Sequence, residues 1–184
     1  LDHRLSLFEA MTLKSLSSQT DKDFLYVLAI AHDTSKDYRR RIRSLLEKYL
    51  PKNHALVLVT LEQTHYPCTN SALLIEEAGA ELLKPFVKAD EYGHVFTTHI
   101  GTDDALSGCY VAACKDAYDW SEFAYHGFIN YKDGYVCFTD KVTFYAVDDT
   151  KYFFLTYREP VESFKSVLYH THDKVHRHTP VIHP

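Results

Sequence analysis

Apolar residues recur along the first half of the chain in two rhythms. From Asp2, a segment places Leu5, Phe8, Thr12, Leu13 and Leu16 near helical spacing, and Ser17-Ser18-Gln19-Thr20-Asp21 breaks it. Phe24 to Ile30 is a continuous apolar run, too short for a long helix and suited to a strand buried on both faces. Asp33-Thr34-Ser35 marks a turn and cap. Residues 38–50 then read as a helix with Ile42, Leu45, Leu46 and Tyr49 on one face and Pro51 as its stop. Residues 55–61 repeat the buried-strand pattern. Residues 62–70 form a loop, and residues 71–87 a helix interrupted by Gly79 and ending near Pro85. Val95 to Thr98 is a third strand, followed by a helix-forming run over residues 105–117. This alternation argues for βαβ units, with residues 24–30, 55–61 and 94–98 as neighbouring central strands of one mainly parallel sheet.

After Trp120 the texture changes. A turn is expected at Asp133-Gly134. Short strands follow at residues 134–138, 142–147 and 152–157, separated by polar turns at Thr139-Asp140 and Asp148-Asp149-Thr150. The fold class is therefore α/β, parallel in its first half and more antiparallel in its second. A length of 184 residues favours one domain.

Composition removes some partners. Net charge is -5, and the run Arg39-Arg40-Arg41-Ile42-Arg43 reads as a solvated helix face, so nucleic acid is not the favoured partner. Cys68, Cys109, Cys114 and Cys137 form no CxxC pair and no disulfide framework, so reduced thiols in a cytoplasmic protein are expected. No run of 18 apolar residues exists, so no transmembrane segment is expected.

The chemistry concentrates where the third strand runs into two adjacent carboxylates, in Thr97-Thr98-His99-Ile100-Gly101-Thr102-Asp103-Asp104-Ala105-Leu106. Strand ends in open α/β sheets are ligand positions. Adjacent carboxylates repel unless a cation or hydrogen-bond donors compensate. Oxygen-only ligands suit Mg²⁺ or Mn²⁺, with a phosphate supplying further oxygens. The simpler alternative is that Asp103 or Asp104 N-caps the following helix. The tail carries His170, His172, His176, His178 and His183, which also fits a solvated terminus.

Four ordered segments resemble the putative rhamnosyltransferase family of glycosyltransferases with the GT-A fold. They are Arg4 to Glu9 with Leu13 to Leu16 and Gln19 to Phe24; Tyr38 to Ile42; Thr97 to Leu106, similar to a "TTRLDxDDAL" motif; and Gly134-Tyr135 with Phe153 to Pro160 and the His-containing segment after Val167. The resemblance implies a GT-A-like sheet whose first strand would precede Leu1. It implies a nucleotide-sugar and metal half at residues 1–118, and an acceptor half with the tail at residues 119–184.

The same resemblance implies a divalent cation, Mn²⁺ or Mg²⁺, on Asp103, Asp104 and His172. Thr98, His99, Thr102 and Asp103 would meet a nucleotide-sugar donor such as dTDP-rhamnose. An inverting reaction onto a glycan or other hydroxyl acceptor needs a carboxylate base, for which Glu159 ranks ahead of Asp119 and Glu122. The motif's first Asp falls on Gly101 here and its Arg on His99. The alternative function is accordingly a catalytically degenerate GT-A-like module that binds or supports a larger assembly. A His/Cys metalloprotein has no spacing motif behind it.

Overall fold

The computed structural model describes residues 2–59, 83–87, 91–119, 127–130, 133–138, 143–148, 155–161 and 181–182. The chain opens with one helical stretch, residues 2–17, built as α1 (Asp2–Leu7), a π-helical segment (Phe8–Leu13) and α2 (Lys14–Ser17). Leu5, Phe8, Thr12, Leu13 and Leu16 are its buried positions, as their spacing predicts. The wider π turn brings Leu13 under Phe8 at five residues' separation, while Thr12 keeps the four-residue spacing. Both are therefore buried on a surface that a regular α-helix would present only in part.

β1 (Tyr26–Ala31) follows and pairs in parallel with β2 (His54–Val59), from Tyr26 opposite His54 to Ala31 opposite Val59. Between them lies α3 (Lys36–Tyr49), capped by the Ser35 hydroxyl, which accepts from Tyr38 N–H at 3.3 Å. Ile42 and Leu46 of α3, with Leu50 after it, join Leu5, Phe8, Leu13, Leu16, Tyr26 and Leu28 in the core. The arginine run is a solvated face except at Arg39 and Ile42: Arg40, Arg41 and Arg43 are exposed. β1 is less buried than expected. Ala29 and Ala31 are exposed and Leu25 is 44% exposed, so only one face of this strand, with Tyr26 and Leu28, enters the core. Most of the helix expected over residues 71–87 lies outside the described residues, and its end is a 3-10 turn, Lys84–Phe86.

The third strand departs most from expectation. β3 (His94–Thr98) does not pair with β1 or β2 among the described residues. After α4 (Tyr110–Asp119) come β4 (Gly127–Asn130), β5 (Asp133–Phe138), β6 (Thr143–Asp148), β7 (Leu155–Pro160) and β8 (Val181–Ile182). β3 pairs antiparallel with β7, from Thr98 opposite Thr156 to His94 opposite Pro160. β4 lies on the other side of β7, also antiparallel, and β8 runs parallel to β4. The described strands are thus mostly antiparallel, against the mainly parallel sheet that alternation suggested. Alternation of strand and helix records only local order, whereas β3 is tied to a strand some sixty positions away by a Thr98–Thr156 hydroxyl contact of 2.5 Å. β5 and β6 form a separate antiparallel pair, and Asp133-Gly134 belong to it as strand, opposite Asp148 and Val147, rather than forming a turn.

Alternation along β3 and β7 puts Phe96, Thr98 and Thr156 on one face and Val95, Thr97 and Glu159 on the other. The first face meets α4. Ile129 is 1% exposed and Tyr110 7% exposed there, and Phe96 packs against the same core. Below Thr156 the Tyr110 hydroxyl shares a hydrogen bond with Thr156 Oγ1 at 2.9 Å, and Cys114 Sγ lies 3.6 Å from it. Burial pushes the Tyr110 phenol upward from its ordinary pKa, so it stays a neutral partner in this network. Neither Cys114, which is buried, nor Cys109, which is exposed, is disulfide-bonded. Cys68 and the Cys137 side chain fall outside the described residues.

Candidate functional site

The loop leaving β3 carries the acidic pair. Asp103 and Asp104 are both exposed, and no lysine or arginine pairs with either among the described residues. The helix that follows begins at Tyr110, not near Ala105, so neither carboxylate caps it. That removes the simpler reading of the pair. The cap comes from far away in sequence: Gln19 Oε1 accepts from Val111 N–H at 3.0 Å.

Asp104 turns back on its own loop. Its Oδ2 accepts from Gly101 N–H at 3.1 Å. A Cβ added at Gly101 would stand 2.6 Å from Asp104 Oδ2 and 3.2 Å from Asp103 Oδ1. Both carboxylates therefore converge on one point above Gly101. Glycine at this position is a matter of space, since any side chain would displace Asp104. Two convergent, exposed, otherwise unpaired carboxylates are a donor set that a hard divalent cation accepts. Among the described residues no group of three or more His, Cys, Asp or Glu side chains converges in this way. Mg²⁺ wants about six oxygens, so any cation here must take further oxygens from water or a ligand.

The other expected residues are placed as follows. His99 is exposed and Thr102 half-buried beside the pair. Thr98 turns its hydroxyl to Thr156 on the α4 side of the sheet, so that group is engaged inside the protein. Glu159 lies on β7 opposite Val95 and is only 2% exposed. His172, Glu122 and the side chain of Asp119 fall outside the described residues.

A second set of residues, on or just after the first helix, holds the loop and the segment that follows it. Thr12 Oγ1 lies 2.8 Å from Asp104 O and 3.1 Å from Gly101 O. Ser15 Oγ accepts from Leu106 N–H at 3.1 Å. Gln19 Nε2 donates to Ser107 O at 2.6 Å and to Ser15 O at 3.1 Å. Thr20 N–H donates to Gly108 O at 2.7 Å. Lys115 Nζ reaches Asp21 Oδ2 at 2.8 Å and Asp23 Oδ2 at 3.0 Å. The Lys115 hydrogen bond, followed by the Asp23 backbone N–H, holds the Asp21 carboxyl below the usual carboxylate range. For Lys115, partial burial works against the charge but the two carboxylates outweigh it, and its pKa lies above the ordinary value. Each residue of Gln19-Thr20-Asp21 thus contacts the segment between Ser107 and Lys115. The polar break that ends the first helix and the segment that follows the acidic loop are one structural unit, joined by contacts 88 to 94 positions apart.

A strand that ends in a backbone-held carboxylate pair, within a mixed α/β chain, defines the class of site. The particular family follows from comparison of the whole sequence: the family model described as "Putative rhamnosyl transferase" matches residues 1–183, and the chain belongs to that family. No curated protein and no solved structure matches the chain. No helix among the described residues is long and apolar enough to cross a membrane.

Proposed function

We propose that this chain is a glycosyltransferase that uses a nucleoside-diphosphate sugar, with activated rhamnose as the donor, a divalent cation as cofactor and a glycan or other hydroxyl compound as acceptor. The observation that carries the reading is the Asp103–Asp104 pair, exposed, convergent and without a basic partner among the described residues, in a chain of this family. A divalent cation bound there supplies charge neutralisation for a departing diphosphate. Asp103 and Asp104 would hold it, and His172 is a further candidate ligand. His99 and Thr102 flank the pair and are assigned to the donor. Thr98 supports them through its buried hydroxyl contact with Thr156.

Transfer to an acceptor hydroxyl also calls for a base. Glu159 is assigned that role among the candidates.

Calorimetry with thymidine diphosphate, with and without Mn²⁺, tests the reading. Cation and diphosphate should bind cooperatively, each raising the other's affinity by the same factor. Asp104→Asn keeps an oxygen for the Gly101 N–H while removing the charge. It is expected to abolish the Mn²⁺ dependence and leave the fold intact. Wild-type protein with no Mn²⁺-dependent affinity would favour the other assignment, a family member that has lost catalysis and serves as a binding module.

A further inference from the structure

The acidic loop holds its own shape only in part, through the Asp104 Oδ2 that accepts from Gly101 N–H at 3.1 Å. Its turn is closed by a long backbone hydrogen bond, Asp104 N–H to Gly101 O at 3.4 Å. The two charges it presents are adjacent and repel. A short exposed turn under that repulsion spreads unless something beneath it is fixed. What is fixed is Thr12. It is 0% exposed, sits in the π-helical segment of the first helix, and faces the carbonyl oxygens of both Gly101 and Asp104. A hydroxyl has one proton, so it serves the two carbonyls as a shared donor, with the stronger contact to Asp104. These two carbonyls bracket Thr102 and Asp103. Pinning both fixes the ends of the turn from which the carboxylates project.

We propose that Thr12 is a positioning residue for the cation–diphosphate site: its buried hydroxyl sets the spacing and aim of Asp103 and Asp104. This rests on the functional reading of that pair. Groups that orient metal ligands from behind typically change metal affinity by about 10- to 100-fold when removed. The π turn gives a structural reason for Thr12 to do this. It lets the helix bury Leu13 in the apolar core and Thr12 against the loop within consecutive positions, which regular α-helical spacing does less well.

The test compares Thr12→Val, which keeps shape and loses the hydroxyl, with Thr12→Ser, which keeps the hydroxyl. Ile42→Val serves as a control for modest destabilisation of the same core. The readout is affinity for thymidine diphosphate with and without Mn²⁺, well below each variant's melting temperature. Thr12→Val is expected to weaken the Mn²⁺-dependent affinity about tenfold, with Mn²⁺-independent affinity unchanged. Thr12→Ser should bind within about twofold of wild type, because the donor remains. Ile42→Val should bind as wild type does. Equal Mn²⁺-dependent affinity for Thr12→Val and wild type overturns the inference and leaves the functional reading standing. An equal loss in Ile42→Val also overturns it, by reducing Thr12 to general stability. Absence of Mn²⁺-dependent affinity in wild type overturns the functional reading, and the inference falls with it.

Discussion

The first helix, residues 2–17, grips two neighbours by opposite means. Toward α3 it offers Leu13 and Leu16 to Leu46, Ile42 and Leu50, all nearly or fully buried. Polar contacts accompany them, such as Lys48 to Glu9 at 2.9 Å, Tyr49 hydroxyl to Glu9 at 2.9 Å and Arg41 to Asp2 at 2.6 Å. Toward the acidic loop it offers Thr12 and Ser15, with Gln19 just beyond, and there the partners are backbone groups. Apolar packing is non-directional and tolerates volume-conserving change. Hydrogen bonds to backbone groups are directional and leave orphaned donors or acceptors when broken. The first contact stabilises the fold and the second specifies a loop conformation.

Leu46→Ala should break the packing side hardest. Leu46 is 0% exposed, and such truncations cost about 2–5 kcal/mol. Denaturant melts should show that loss. Gln19→Leu breaks the other side with little change in apolar volume. It orphans Val111 N–H and takes one of two donors from Ser107 O, which keeps Tyr110 N–H, with an expected loss of about 1–3 kcal/mol and with faster amide exchange concentrated at the start of α4. If the exchange instead rises uniformly, the division between the two contacts is wrong.

Lys115→Met is the smallest step. A partly exposed ion pair contributes about 0.2–1 kcal/mol. The Asp21 pKa is lowered in the folded state, so its contribution is present above the unfolded value of 3.8 and lost as pH falls through the folded value. The Lys115 pKa is raised, so its contribution is present below 10.5 and lost as pH rises through the folded value. Stability of wild type and Lys115→Met should therefore differ at neutral pH and converge as pH falls through the folded Asp21 value.

These contrasts also explain what could be read from the sequence. The first helix, α3 and the positions of β1, β2 and β3 were legible because apolar patterning records local structure, although β1 and β2 are less buried than a strand covered on both faces. The acidic pair was legible because like charges side by side are costly without a purpose. The partner of β3 was not, since nothing near His94–Thr98 names β7, and strand pairing over such separation leaves no local pattern. The start of α4 was missed for the same reason. Its cap is Gln19, an ordinary polar residue in a helix-ending stretch, and Thr12 looks like one more position on an apolar face. The ordered spacing of Gln19-Thr20-Asp21 and the acidic loop was the one available sign that the two segments act together.

The space above Gly101 couples residues 101 and 104. The Asp104 carboxylate stands where a side chain at 101 would begin, 2.6 Å from that Cβ position. An aspartate introduced at 101 therefore meets a neighbour of the same charge already seated on the Gly101 N–H. The two substitutions are not independent letters of a motif. A lineage that exchanges glycine for aspartate at 101 must first, or at once, find another rotamer for residue 104. The effect of a substitution at 101 therefore depends on which rotamer residue 104 adopts.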